Sequence, residues 1–327
     1  MNVIVTGATS FIGAVTVGQL LEDGHRVCAV VRPASRGMEY LRECISRGCD
    51  RQEDTSRQDI LEKRKDRLMI RELALEQIGN LKDDLASETW DGWIHIGWEG
   101  AGSGNRMLRK VQQGNVEYSL AAVRTAADLG CRRFLFTGSQ AEYGIHYGPV
   151  TEDTACDPVS EYGKAKLDFA NLAKELCKSR KMEYIHTRIF SVYGPGDHPW
   201  SLVSTCLNTW MRGEQMKLGE CTQKWNFLYV DDAASALVHL LTEGQPGIYN
   251  VAGEDTRVLR EFIEEMYELC KRRGSYVYGV RLPNAEGPAP LMPEITRLLA
   301  QTSWRPATSF REGIYETMHR LRQETAR

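Results

Sequence analysis

The N-terminal stretch constrains this chain most. Val3 to Val5 is a short apolar run, broken at once by Thr6-Gly7-Ala8-Thr9-Ser10-Phe11-Ile12-Gly13. Phe11, Ile12, Val15, Leu20 and Leu21 then share a helical face, and a second apolar run, Val27 to Val31, stops at Arg32-Pro33. Strand, helix and strand in so short a span form a βαβ unit, which implies a parallel sheet. The alternation continues. Strands are predicted at Leu68 to Leu75, Trp93 to Gly97, Arg133 to Thr137 and Tyr184 to Phe190. Helices are predicted around Leu81 to Glu88 and at Arg106 to Leu129 and Tyr162 to Ser179. An α/β fold with a doubly wound parallel sheet is the economical architecture.

Two regions break the rhythm. Residues 41–67 are rich in both charge signs and read as a pair of solvated helices or a partly mobile insertion, with no chemistry in it. After Phe190 come turn residues at Gly194-Pro195-Gly196-Asp197, a helix from Leu202 to Arg212 and a short strand from Phe227 to Val230. A helix through Leu241, a strand from Ile248 to Val251, a Pro-rich loop from Pro283 to Pro293 and a last helix complete the chain. These pieces suggest a smaller α/β domain woven into the first.

Composition excludes several classes. The 327 residues, 42% of them hydrophobic, can bury one large core or two coupled ones. With 41 Lys and Arg against 44 Asp and Glu there is no basic surplus to attract nucleic acid. Nine cysteines, an odd number without paired spacing, argue for reduced thiols and a cytoplasmic protein. Cys44 and Cys49 lack a matching second pair, so no metal site is expected. No basic and apolar leader opens the sequence, and no run of about 18 apolar residues could span a bilayer.

The loop from Gly7 to Gly13 sits where a strand meets a helix. Glycine permits the tight turn and lets backbone N–H groups approach a pyrophosphate, to which the helix N-terminus offers its dipole. Ser10 stands where a three-glycine loop has its middle glycine, and can cap the helix. Gly7, Ser10, Phe11, Ile12 and Gly13 are therefore candidate cofactor contacts. At the tip of the second strand a carboxylate would bind a ribose 2′-hydroxyl, but this chain has Arg32, with Ser35 and Arg36 close behind. A guanidinium can pair bidentately with a 2′-phosphate, which favours NADP, with NAD as the alternative.

Tyr162 and Lys166 stand at i and i+4 on one helical face, and Ser139 ends the strand RFLFTGS. A free phenol has a pKa near ~10, too high for proton exchange at neutral pH; an adjacent ammonium favours the phenolate. Ser139 can hold a carbonyl or alcohol oxygen against that phenol while hydride moves at carbon.

TGATSFIG, Asn115 in QQGNVEYS, TGSQAEYG, YGKAK and FLYVDDAA together resemble the extended short-chain dehydrogenase/reductases of the epimerase/dehydratase type, over nearly the whole chain. The resemblance implies a Ser139–Tyr162–Lys166 triad, Asn115 structural or supporting a proton relay, and Lys166 also binding the nicotinamide ribose. Ile96, Gly97, Trp98, Thr137 and Phe190 would line the cofactor, and Ala74-Leu75 would pass near the adenine. Residues 1–190 and 227–250 would form the dinucleotide-binding domain, and 191–226 and 251–327 the substrate domain. Many relatives act on nucleotide sugars, and they often pair as homodimers through the helices carrying Arg106 and Tyr162.

Departures narrow the chemistry. Relatives that dehydrate carry an Asp-Glu pair after the catalytic hydroxyl; here Gln140-Ala141 stand there and Glu142 falls one position late. Ser191 and Trp225-Asn226 occupy places where sugar-nucleotide binders often have Asn and Arg. Trp225 fits either stacking on a base or sugar, or the core at the domain seam. Ser139, Gln140, Ser191, Tyr193, Trp200 and Trp225 are the substrate candidates, with Arg297 behind them. The expected activity is NADP-dependent reduction of a keto group, on a 4-keto-6-deoxy nucleotide sugar. The alternatives are an NAD-dependent nucleotide-sugar epimerase and a ketoreductase for a non-sugar carbonyl. A redox-sensing binding module has no need of Tyr162 and Lys166.

Overall fold

Val3, Ile4 and Val5 are wholly buried, as a parallel strand covered on both faces requires. The computed structural model describes residues 1–47, 54–102, 104–281 and 289–326. In chain order the elements run β1 (Asn2–Thr6), α1 (Phe11–Glu22), β2 (Arg26–Val31), α2 (Met38–Ser46), α3 (Asp54–Asp66), β3 (Leu68–Glu72), α4 (Leu81–Leu85) and β4 (Gly92–His95). Next come α5 (Arg109–Asp128), β5 (Arg133–Ser139), α6 (Glu161–Ser179), β6 (Glu183–Ile189), β7 (Ser191–Tyr193), α7 (Leu202–Met211), β8 (Gln215–Lys217) and β9 (Lys224–Tyr229). The chain ends with α8 (Val230–Thr242), β10 (Gly247–Val251), β11 (Thr256–Val258), α9 (Leu259–Leu269), β12 (Ser275–Val277), α10 (Thr296–Gln301) and α11 (Phe310–Ala326).

Seven strands form one sheet in the order β10-β6-β5-β4-β1-β2-β3, every neighbouring pair parallel. This is the doubly wound α/β arrangement. Val3 and Val5 point to the core under α1 and α8, while Ile4 joins the opposite core with Ala122 of α5 and Phe169 of α6. The order reverses between β1 and β4, so the carboxyl ends of these strands part and open a crevice. Smaller sheets, β11-β9-β7 and β12-β8, build the second lobe beyond that crevice. Asp232 fastens the C-terminal segment: its carboxylate accepts the amides of Ala307 and Thr308, both at 3.0 Å.

The structure changes three expectations. Segment 41–67 is not a solvated pair of helices throughout, because Leu41, Cys44 and Ile45 of α2 are buried. Gly18 of α1 lies so close that a Cβ there would stand 2.7 Å from the Cys44 carbonyl oxygen. Arg64 of α3 is buried as well, donating to the carbonyls of Ile45 at 2.7 Å and Arg47 at 2.8 Å. Residues 227–229 belong to β9 of the second lobe rather than to the large sheet, which β10 joins at its edge. The helix expected from Arg106 begins at Arg109, leaving Arg106 in a turn. Cys49 and residues 283–288 of the Pro-rich loop lie outside the described residues. Among the described residues no helix is long and apolar enough to cross a membrane.

Candidate active site

The glycine loop is shaped by close approach. Gly7 has φ +71°, and a Cβ on it would lie 2.7 Å from the Gly97 nitrogen. A Cβ on Gly13 would collide with the Gly7 carbonyl, and one on Gly97 would come 2.8 Å from Leu75 Cδ2. Gly7, Gly13, Gly97 and Leu75 thus converge at the crevice, leaving no room for side chains where the backbone must come close to a pyrophosphate. Ser10 caps α1 by accepting the Gly13 amide at 3.2 Å, so its hydroxyl turns back into the helix. Phe11 and Ile12 form the first turn of α1, half-buried. This cradle fits a dinucleotide.

The loop after β2 folds over the cradle. A Cβ on Gly37 would collide with the Thr9 carbonyl, and Thr9 Oγ1 and Ser35 Oγ share a hydrogen bond of 2.8 Å. Ser35 therefore ties the loop to the cradle. Arg32 is exposed at the strand tip, and its guanidinium makes no ion pair or hydrogen bond among the described residues.

On the other side of β1, α6 presents Tyr162 and Lys166. Ser160 caps this helix by accepting the Gly163 amide at 3.2 Å, and Gly163 packs directly on the Ala141 carbonyl. That contact presses the first turn of α6, which carries Tyr162, against the turn following Ser139. Ser139 Oγ accepts the Ala141 amide at 3.2 Å. Lys166, only 3% exposed, donates to the Thr137 carbonyl at 2.7 Å, and its Nζ lies 4.0 Å from the Trp98 ring centroid and 4.4 Å from that of Phe136. Burial, opposed by Glu142 and reinforced by Arg106, lowers its ammonium to about 7. Beneath it His95, bonded to Thr6 and Ser119, is driven down to about 3 by burial and the Lys166 charge and stays neutral.

Glu142 turns inward. It is completely buried; Oε1 accepts the Ser139 amide at 2.8 Å, and Oε2 meets His186 Nε2 at 2.8 Å and Arg188 Nε at 3.0 Å. Burial alone would raise its pKa, but His186, Arg188 and the Ser139 amide outweigh it and hold the carboxyl low. Thr137 and Phe190 are buried, Thr137 Oγ1 donating to the His95 carbonyl at 3.2 Å.

Some expected contact residues have their polar atoms engaged within the protein. Asn115 Oδ1 accepts the Glu99 amide at 2.8 Å, and Nδ2 donates to the carbonyls of Glu99 at 2.9 Å and Val111 at 3.1 Å. Its amide is fully engaged in fastening the β4–α5 connection. Tyr193 is buried among Phe227, Tyr229 and Phe310 with its hydroxyl donated to the Phe310 carbonyl at 3.1 Å. Arg297 is paired with Asp153 at 2.8 Å. Gln140 and Trp225 each bring a polar atom, Oε1 and Nε1, that is buried without a partner among the described residues. Ser191 is half-buried at the start of β7, and Trp200 is 63% exposed, its ring stacked on His198 at 4.5 Å.

Sequence reasoning missed Arg106. Its guanidinium carbon lies 4.2 Å from the Tyr162 ring centroid, and its carbonyl accepts the Tyr162 amide at 3.0 Å. Trp98 was foreseen as lining the cofactor but not as the aromatic face over Lys166; it also meets Tyr162 edge-on at 6.3 Å.

A family model described as "NAD dependent epimerase/dehydratase family" matches residues 3–252. Among curated proteins, mouse (Mus musculus) dTDP-D-glucose 4,6-dehydratase is 24% identical over 64% of this chain and 61% of its own length. The chain thus spans less than two thirds of that relative. The dTDP-4-dehydro-6-deoxyglucose reductase of Escherichia coli is 26% identical over 64% of this chain and 67% of its own. Among solved structures, UDP-glucose 4-epimerase from Thermotoga maritima, with UDP-glucose, is 20% identical and superposes with a TM-score of 0.83, covering 99% of this chain and 100% of the other.

Proposed function

Because this chain belongs to the NAD dependent epimerase/dehydratase family, we propose that it is a nucleotide-sugar 4-epimerase, working on one sugar by oxidation and re-reduction of the same carbon. The observation that carries this is the convergence of Ser139, Tyr162 and Lys166 at the carboxyl edge of the sheet, beside a glycine cradle. The end-to-end likeness to an epimerase that takes UDP-glucose supports it over one-way reduction. A dinucleotide held by Gly7, Gly13, Gly97 and Leu75 supplies the acceptor and donor of hydride. Ser139 holds the C4 oxygen. Tyr162 takes the hydroxyl proton as the carbinol carbon gives up hydride, and returns it to the same oxygen when hydride comes back to the other face. Gln140 Oε1 and Trp225 Nε1, each lacking a partner among the described residues, are the groups offered to the sugar nucleotide. Glu142, locked to His186 and Arg188, leaves elimination of water without its acid.

A second reading keeps the reductase: the free guanidinium of Arg32 suits a 2′-phosphate and so NADP. One experiment separates the two. Protein purified without added cofactor is denatured and its nucleotides identified, then native protein is given UDP-glucose alone. Released NAD with formation of the C4 epimer is expected. An empty protein that turns over only a 4-keto sugar nucleotide with added NADPH would reject the epimerase. The groove between α5 and α6, lined by Gln113, Val116, Glu117, Asp168, Asn171 and Leu172, is the surface for a second copy of the chain; Leu172→Arg is then expected to give a monomer by light scattering.

A further inference from the structure

Tyr162 has a second cation on it that the catalytic arrangement does not use. The Arg106 guanidinium carbon stands 4.2 Å from the ring centroid, while Lys166 Nζ is 5.6 Å from it. Arg106 is held through both backbone and side chain: its carbonyl accepts the amide of Tyr162 itself at 3.0 Å, and its guanidinium NH1 donates to the Ala101 carbonyl at 3.4 Å. Resting on the reading of Tyr162 as the proton-transfer group, we propose that Arg106 is a positioning residue that places a permanent positive charge over the Tyr162 ring and draws the phenol toward its ionised form.

The physical case has three parts. A phenolate spreads its negative charge into the ring, so a cation over the ring face favours it beyond the attraction to the neutral ring. A guanidinium remains charged at every working pH, whereas an ammonium loses its proton readily when buried. Burial brings the Lys166 ammonium down to about 7, so its charge is the less secure of the two. The two cations feel each other, Arg106 lowering Lys166.

The other charged groups around Tyr162 leave this role to Arg106. On α6, Glu161 and Lys164 pair with one another at 2.9 Å. On the turn after β5, Glu142 is taken by His186 and Arg188. On the β4–α5 connection Glu99 is exposed, as are Arg109 and Lys110 at the start of α5, and His95 of β4 lies beneath Lys166 as the neutral ring.

The test reads the phenol directly in the protein as purified. Tyrosine carrying carbon-13 next to its oxygen is followed by NMR through a pH titration, with the Tyr162 signal assigned by its loss in Tyr162→Phe. Arg106→Met is expected to move the midpoint up by about one unit, a tenfold smaller phenolate fraction at fixed pH. Arg106→Lys, retaining a cation without the planar stack, should fall between. In catalysis Arg106→Met should lose turnover at low pH and regain it as pH rises, with KM for the sugar nucleotide unchanged. A midpoint that stays put in folded Arg106→Met overturns the proposal, and so does a raised KM with an unmoved midpoint, which would assign the guanidinium to the substrate's diphosphate. Unimpaired turnover in Tyr162→Phe would instead overturn the reading of Tyr162, while the titration still decides what Arg106 does to the phenol.

Discussion

Replacing Glu142 by Gln keeps the shape of a buried side chain bonded to the Ser139 amide. In the native protein its two oxygens receive the Ser139 amide, His186 and Arg188, at 2.8, 2.8 and 3.0 Å. Gln can still accept through its one oxygen, but its NH2 then faces a donor, and Arg188 keeps a charge without a counterion inside the protein. Breaking a buried pair by removing one partner costs about 3–5 kcal/mol. Arg188 retains the Glu152 carbonyl at 3.2 Å and the face of Tyr143 at 4.4 Å, which places the loss at the lower end, about 3 kcal/mol. Urea unfolding at pH 7 should show that loss as a lower midpoint at unchanged slope. The carboxyl is held low in the folded state, so its contribution is complete above the unfolded value and fades as pH falls through the folded one. The gap between wild type and Glu142→Gln should therefore narrow in acid. A variant as stable as wild type but stripped of activity would refute the structural role and make Glu142 a reacting acid.

Three other substitutions probe the crevice. Gly7→Ala forces a side chain into φ +71° and to within 2.7 Å of the Gly97 nitrogen; dinucleotide affinity by calorimetry should fall at least about tenfold, since a 1.4 kcal/mol distortion suffices for that. Arg32→Ala should weaken NADPH far more than NADH if the guanidinium reads a 2′-phosphate, and equal losses would reject that role. Lys166→Met should abolish turnover yet stabilise the fold at neutral pH, because wild type buries an ammonium lowered from 10.5 to about 7. That penalty is complete below about 7 and vanishes as pH approaches 10.5, so the two proteins should converge in alkaline urea titrations; a variant less stable than wild type at pH 7 would contradict it.

The sheet and much of the crevice were legible in the sequence for a local reason. Each apolar run, each glycine turn and each helical stripe reports on neighbours a few residues away, and a parallel sheet is a chain of such local decisions. Hence β1, α1, β2, β5, α6 and β6 fall close to their expected places. Segment 41–67 misled because its charge hid a short apolar stripe, Leu41, Cys44 and Ile45, that needed only the small face of Gly18 to be buried. Tyr193 and Asn115 show a different limit. Motif position says where a residue sits along the chain, but the partner that absorbs its polar atom, Phe310 or Glu99, comes from elsewhere in the fold.

Arg106 shows where pattern reading ends. No spacing rule links it to Tyr162, since the contact exists only because α5 begins three residues later than its periodicity suggests and leaves Arg106 in a turn whose carbonyl caps the Tyr162 amide. Trp98 follows the same logic: its indole is fixed by Gln112 at 2.9 Å and so meets Lys166 face-on. Both residues meet Tyr162 and Lys166 through charge and aromatic faces rather than through the motif positions that mark the family. Motif residues mark the family this chain belongs to; the charge and the aromatic face packed against Tyr162 and Lys166 lie outside the motifs, on loops positioned by the fold.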